Sequence, residues 1–183
     1  MTLDTSPLVK VLLARSVKHG DFVLASGRRS SYYVDARLTT TSAEGLDLIG
    51  RLGLEAIRGA GWAPVAIGGL TMGADPVSYA VAVASLHRQP VIEAFTVRKE
   101  AKDHGTKKRI EGNFAAGMAV VVAEDVITSG GSALQAVRAV EAEGGNVLGV
   151  LAVVDREEGG RAAIEQAGYP VVALVTATQL GLT

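Results

Sequence analysis

The chain has 183 residues, a formal net charge of −1 and no cysteine, which excludes disulfides, thiolate metal sites and a cysteine nucleophile. That charge argues against a general nucleic-acid binder, and the absence of any run of about 18 uncharged apolar residues argues against a membrane span. Met1 to Asp4 lacks the basic start and apolar block of a secretory signal, so the expected setting is the cytoplasm, and the expected organisation is one domain over residues 1–183 with a full core.

Ser6 followed by Pro7 predicts a helix start; its apolar positions Leu8, Val11, Leu12 and Val17 carry the helix to about Gly20. Phe22 to Ala25 and Ser31 to Ala36 read as a hairpin around Ser26-Gly27-Arg28-Arg29. Thr41 with Glu44 forms a capping box for a second helix bearing Leu46, Ile49, Leu52 and Ile57. Five apolar strands follow, Pro64–Ile67, Val91–Val97, Ala119–Ala123, Val147–Val154 and Val171–Val175. Helical patterns starting at Asp75-Pro76, Ser132 and near Arg161 separate most of them. Val/Ala/Ile runs with little polar alternation predict strands covered on both faces, hence a mostly parallel α/β sheet.

The polar clusters fall where these strands end: residues 68–73, 98–105, 124–132 and 155–158. Open α/β sheets bind ligands outside the carboxyl ends of their strands, so the four clusters are expected to converge. The third carries the most chemistry. Val120 to Ala123 run into Glu124 and Asp125, then Val126, Ile127, Thr128, Ser129, Gly130, Gly131 and Ser132, and a helix from Ala133 to Glu143. A Gly-rich turn at a helix N-terminus aims consecutive N–H groups at an anion, and the hydroxyls of Thr128, Ser129 and Ser132 add donors. Carboxylates beside it can accept from vicinal sugar hydroxyls. The loop lacks the lysine of a Walker A motif. Strand-end acids and hydroxyl turns also serve simply as helix caps, but the acid pair joined to this turn favours a ribose 5-phosphate.

This acid-acid-loop string resembles the phosphoribosyl pyrophosphate (PRPP) motif of type I phosphoribosyltransferases. The resemblance implies that the acids bind the ribose hydroxyls and that residues 126–132 bind the 5-phosphate. The string Arg98-Lys99-x-x-Lys102-x-His104-Gly105 is similar to the catalytic loop of the orotate phosphoribosyltransferase family. It implies that Arg98, Lys99, Lys102 and His104 hold the pyrophosphate, with Lys102, Arg98 and Asp125 carrying catalysis. Residues 106–111 read as a solvated loop. Residues 20–27 and 31–35 resemble the same family's N-terminal signature. Tyr32 and Tyr33 then either wall the flat base or pack in the core. Arg156 either pairs with Glu157 or Glu158 or forks a carboxylate on the base; the resemblance places it, with Thr128, at orotate.

Two positions depart from the family pattern, Ala25 and Met72 standing where members carry lysine. The loop after the first core strand is left with backbone N–H groups and Thr71 for the pyrophosphate. The resemblance further implies the type I phosphoribosyltransferase fold, with residues from about 1 to 40 forming a small hood over the base. It implies transfer of a phosphoribosyl group from PRPP to orotate, in pyrimidine synthesis, with Mg²⁺ held mainly through PRPP and water rather than by protein ligands. It also implies a homodimer that shares the 98–112 loop across subunits. The alternatives are a transferase for a purine or other base, a non-catalytic PRPP-sensing regulator, and another sugar-phosphate enzyme on a doubly wound sheet.

Overall fold

The computed structural model describes residues 3–23, 29–100 and 109–182. A six-stranded sheet forms its centre, built from β3 (Ala66–Leu70), β4 (Glu93–Val97), β5 (Ile110–Gly112), β6 (Ala119–Ile127), β7 (Asn146–Asp155) and β8 (Val171–Thr176). Their order is β5-β4-β3-β6-β7-β8. All pairs are parallel except β4 with β5. The apolar runs have the predicted cause. Val121, Ala123 and Leu151 enter one buried cluster with α1 (Ser6–Arg15), α3 (Ala43–Gly59) and α4 (Ala74–Leu86). Val120, Val122, Val150 and Ala152 enter a second, on the opposite face, with α5 (Gly131–Ala142) and α6 (Gly160–Gln166). Both faces are dry, so both alternating sets are apolar.

The N-terminal part is a separate two-stranded antiparallel sheet of β1 (Val17–Val23) and β2 (Arg29–Val34), followed by the short helix α2 (Arg37–Thr40). The first helix stops at Arg15 and not near Gly20; Val17, which fits its apolar period, instead opens β1 opposite Val34. The hairpin is found, with strands at 17–23 and 29–34. The capping box does not form, because the N-cap falls one residue later and puts Gly45 at the third helical position. Ser42 caps α3, its Oγ accepting from Gly45 N at 3.1 Å and donating to Thr39 O at 2.9 Å, while Thr41 closes α2. Residues 110 and 111, read as the end of a solvated loop, instead open the antiparallel edge strand β5. Ile110 is the anchor, buried against the second cluster.

Strand order reverses at β3. The chain leaves it toward β4 on one side, and β6 later returns on the other. The crevice at such a switch point is where open sheets take ligands. Here the turn after β3 and the loop after β6 open at it.

Candidate active site

The strand β6 does not end before its acids but runs through them to Ile127. Successive strand residues face opposite ways, and Glu124 and Asp125 divide accordingly. Glu124 is 6 % exposed and lines a cavity of about 210 Å³ with Val126 to Ser132. Asp125 lies on the other side, against the turn after β3. A Cβ built on Gly73 would stand 2.6 Å from Asp125 Oδ1. The two acids leave the strand on opposite sides, yet their carboxyls stay close enough to interact, a hydrogen bond to Asp125 adding to the rise of the Glu124 carboxyl.

The loop that completes the cavity folds tightly. Gly130 adopts φ +80°, a left-handed conformation glycine accepts without strain, and it precedes α5 with no side chain capping that helix. The first N–H groups of α5 therefore have no side-chain acceptor at the cap, the condition that makes a helix N-terminus an anion site. Thr128, Ser129, Gly131 and Ser132 are exposed around it. Gly160, the first residue of α6, buttresses the loop from behind: a Cβ there would meet Thr128 O at 2.4 Å and Gly130 N at 2.7 Å.

Burial, with the neighbouring negative charge of Asp125 second, pushes the Glu124 carboxyl up to about 9. Its Oε2 is buried without a hydrogen-bond partner. A buried polar atom left unpaired is costly, and a sugar hydroxyl in the cavity would satisfy it. The turn after β3 contains a cis Thr71–Met72 peptide. Thr71 N donates to Val97 O at 2.9 Å.

Arg156 leaves β7 next door. Ile127 of β6 is in register with Asp155, and Arg156 N donates to Ile127 O at 3.0 Å. The guanidinium is 9 % exposed, pairs with Glu158 at 2.8 Å and lies 5.2 Å from the centre of the Tyr32 ring. Its Nε is buried and unpartnered. Both sequence readings of Arg156 thus have a counterpart: a Glu158 partner, and a donor left over. Glu157 is employed elsewhere, accepting from Thr178 N and Oγ1 at 2.7 Å. Alternation along β2 separates the two tyrosines. Tyr32 reaches Arg156, whereas Tyr33 is exposed and packs on Phe22 at 5.8 Å.

On the far side of the crevice, Arg98 Nε donates to Glu111 Oε1 at 3.1 Å. Lys99 O accepts from Arg109 Nη2 at 2.9 Å and from Gln135 Nε2 at 3.0 Å. Lys102, His104 and Ala25 lie outside the described residues.

No protein-family model matches the chain. It is 46 % identical over 183 residues to the orotate phosphoribosyltransferase of Aquifex aeolicus, covering 98 % of this chain and 99 % of that one. The chain belongs to the orotate phosphoribosyltransferase family. The crystal structure of the Mycobacterium tuberculosis orotate phosphoribosyltransferase with Fe(III) dicitrate superposes with a TM-score of 0.87 at 44 % identity, covering 98 % and 99 % of the two chains. A structure of that enzyme in complex with PRPP superposes at 0.80 with 36 % identity, covering 99 % and 93 %. The α/β fold with its mostly parallel sheet is the one these orotate phosphoribosyltransferases have.

Within this family frame, some residues at the crevice escape a reading by motif. Gly160 had the weak signal of a Gly-Gly pair before a helix. Glu158 was legible only as one of two acids. Arg37, paired with Asp35 at 2.8 Å and near enough to Asp125 for that charge to raise its pKa further, carries no motif at all. Asp75 looked like a helix start and is more than that.

Proposed function

We propose that this chain transfers the 5-phosphoribosyl group of PRPP to N1 of orotate, giving orotidine 5′-monophosphate and pyrophosphate, the activity for which its family is named and a step of pyrimidine synthesis. The observation that carries the reading is a juxtaposition. An uncapped anion loop and a buried, unsatisfied carboxylate end one strand, and a buried arginine with a spare donor ends the adjacent strand at the same level.

The reaction replaces a pyrophosphate–C1′ bond with an N1–C1′ bond through an oxocarbenium-like state. Alignment and neutralisation of leaving charge are what the protein must supply. Residues 126–132 hold the 5-phosphate through backbone N–H groups and the hydroxyls of Thr128, Ser129 and Ser132. Glu124 accepts a ribose hydroxyl inside the cavity, and Asp125 approaches the sugar from the other side, where Gly73 leaves it room. Arg156, steadied by Glu158 and Tyr32, donates to the orotate carboxylate, with Thr128 beside it; Tyr33 is the weaker member of the pair for lining the base. Lys102, Arg98, Lys99 and His104 receive the pyrophosphate, with Lys102 the principal catalytic group. In the arrangement described here Arg98 is paired with Glu111, so its use requires exchanging that exposed partner, a small cost.

Among the described residues no group of three or more His, Asp or Glu side chains could hold a metal. A Mg²⁺ ion would be held through pyrophosphate and water oxygens, the habit of that ion, and the Asp125 carboxylate would accept from its waters. When bound, the ion neutralises charge on the departing pyrophosphate.

The same reading extends to the assembly. Residues from about 1 to 40 form the hood of a single domain, which the contact of Tyr32 with Arg156 supports. The chain acts as a cytoplasmic homodimer in which the 98–112 segment serves the partner's site. Support comes from the apolar row Tyr79, Val83 and Leu86 exposed on α4. No helix among the described residues is long and apolar enough to cross a membrane.

The deciding assay follows orotate's ultraviolet absorbance. It should fall only when PRPP and Mg²⁺ are both present, and other bases should not replace orotate. Arg156→Ala should raise the orotate KM by roughly tenfold or more, the worth of a charge-assisted contact, and leave the PRPP KM near its starting value. Equal turnover of a purine base would remove orotate from the proposal, and an unchanged orotate KM in the variant would remove Arg156 from the base site.

A further inference from the structure

The turn Thr71-Met72-Gly73 faces the switch-point crevice without a single charged side chain, and Met72 at its tip is 70 % exposed. A turn that lacks a cation holds an anion by backbone geometry alone, so whatever fixes that geometry matters. Asp75, in the first turn of α4, accepts from Thr71 Oγ1 at 2.7 Å through Oδ2 and from Thr96 Oγ1 at 2.8 Å through Oδ1. The Thr96 hydroxyl has one proton and gives it to Asp75, so Tyr79, whose hydroxyl is 3.1 Å from Thr96 Oγ1, is the donor in that contact. The backbone adds the Thr71 N to Val97 O bond at 2.9 Å. On its other flank the turn meets Asp125 at Gly73. It is therefore clamped between the end of β4, one residue before Arg98, and Asp125 near the end of β6.

We propose that Asp75 is a positioning residue for the pyrophosphate end of the substrate, a role that rests on the transferase reading above. The carboxylate is suited to this because it offers two acceptors to two hydroxyl donors at once; an amide offers one. The same accounting revises Thr71. Its proton lies on Asp75, so its hydroxyl is not a donor to pyrophosphate, and the donors left in the turn are the N–H groups of Met72 and Gly73. Thr71 acts by holding them in place.

Steady-state kinetics of Asp75→Ala, Asp75→Asn and Thr71→Val test the clamp. The KM for PRPP, and for pyrophosphate in the reverse direction, should rise about tenfold in Asp75→Ala, as expected for loss of hydrogen bonds to a charged group. The orotate KM should stay unchanged, with Asp75→Asn intermediate. Asp75→Ala combined with Thr71→Val should be no worse than Asp75→Ala alone, since both remove one interaction. Equal rises for both substrates, an unchanged PRPP KM, or additive losses would overturn the proposal. If Asp75→Ala does not fold, Thr71→Val carries the same comparison. Failure of the unsubstituted protein to consume orotate would strike the transferase reading instead, and calorimetric PRPP binding to the variants would still decide the clamp.

Discussion

Glu124 is a carboxyl taken almost wholly out of water. Its carboxyl is pushed up to about 9 by burial first and by Asp125 second. The folded state thus keeps a proton that the unfolded chain releases near its ordinary value of 4.5. A raised acid contributes stability that is complete below the unfolded value and lost as pH climbs to the folded one. The stability of the ligand-free protein should therefore fall, relative to a Glu124→Gln variant, between pH 4.5 and about 9. Thermal melts of both proteins across that window check it, and parallel curves would show that Glu124 does not hold the proton. The sequence announces this acid and its neighbour as a pair. It does not announce that β6 continues through them, because a strand reader stops an apolar run at the first charge. Only the continuation gives them unlike surroundings, Glu124 lining the cavity and Asp125 against Gly73.

Elements are legible to the extent that their burial is periodic. The five core strands were marked by runs that fill both faces of the sheet, and their ends moved by a few residues where polar side chains belong to the ligand crevice instead of the core. β5 is short and polar, with Ile110 its one buried residue, too little for a period-two signal. Val17 satisfied the helical spacing of α1 yet belongs to a strand, since pairing with Val34 outweighs local pattern. The support of the 128–130 loop by α6 had only the weak signal of a Gly-Gly pair, because it depends on an absent side chain. Gly160→Ala would place a methyl 2.4 Å from Thr128 O and 2.7 Å from Gly130 N. Backbone atoms cannot step aside as a flexible side chain can, so the loop must shift. A destabilisation of about 1–3 kcal/mol is expected, with a weakened grip on ribose 5-phosphate. Denaturant melts and titration with that sugar phosphate measure the two effects, and an unaltered affinity would show the loop to be indifferent to its support.

At the scale of the molecule, the proposed sharing of residues 98–112 between subunits has an arithmetic consequence. Mixing Lys102→Ala with Asp125→Ala, each inactive alone, leaves half the dimers mixed. If the segment reaches across, each mixed dimer has one site with both lesions and one with none. Activity should then recover to about a quarter of the unsubstituted value. A verified mixed population without recovery would mean that each subunit uses its own segment. The sequence could suggest such sharing through family resemblance, but no single chain contains the geometry of its partner.

The matched ends of β6 and β7 make the distance from anion loop to arginine a property of the sheet. Neighbouring strands lie about 4.8 Å apart, and the Ile127–Asp155 register is held by pairs extending back to Val121 and Gly149, where it shifts by one residue. On the proposed function the crevice would measure its guest like a fixed gauge. A sugar phosphate longer by one carbon would then not be accommodated by sliding either strand, because a slip of one residue turns side chains to the opposite face.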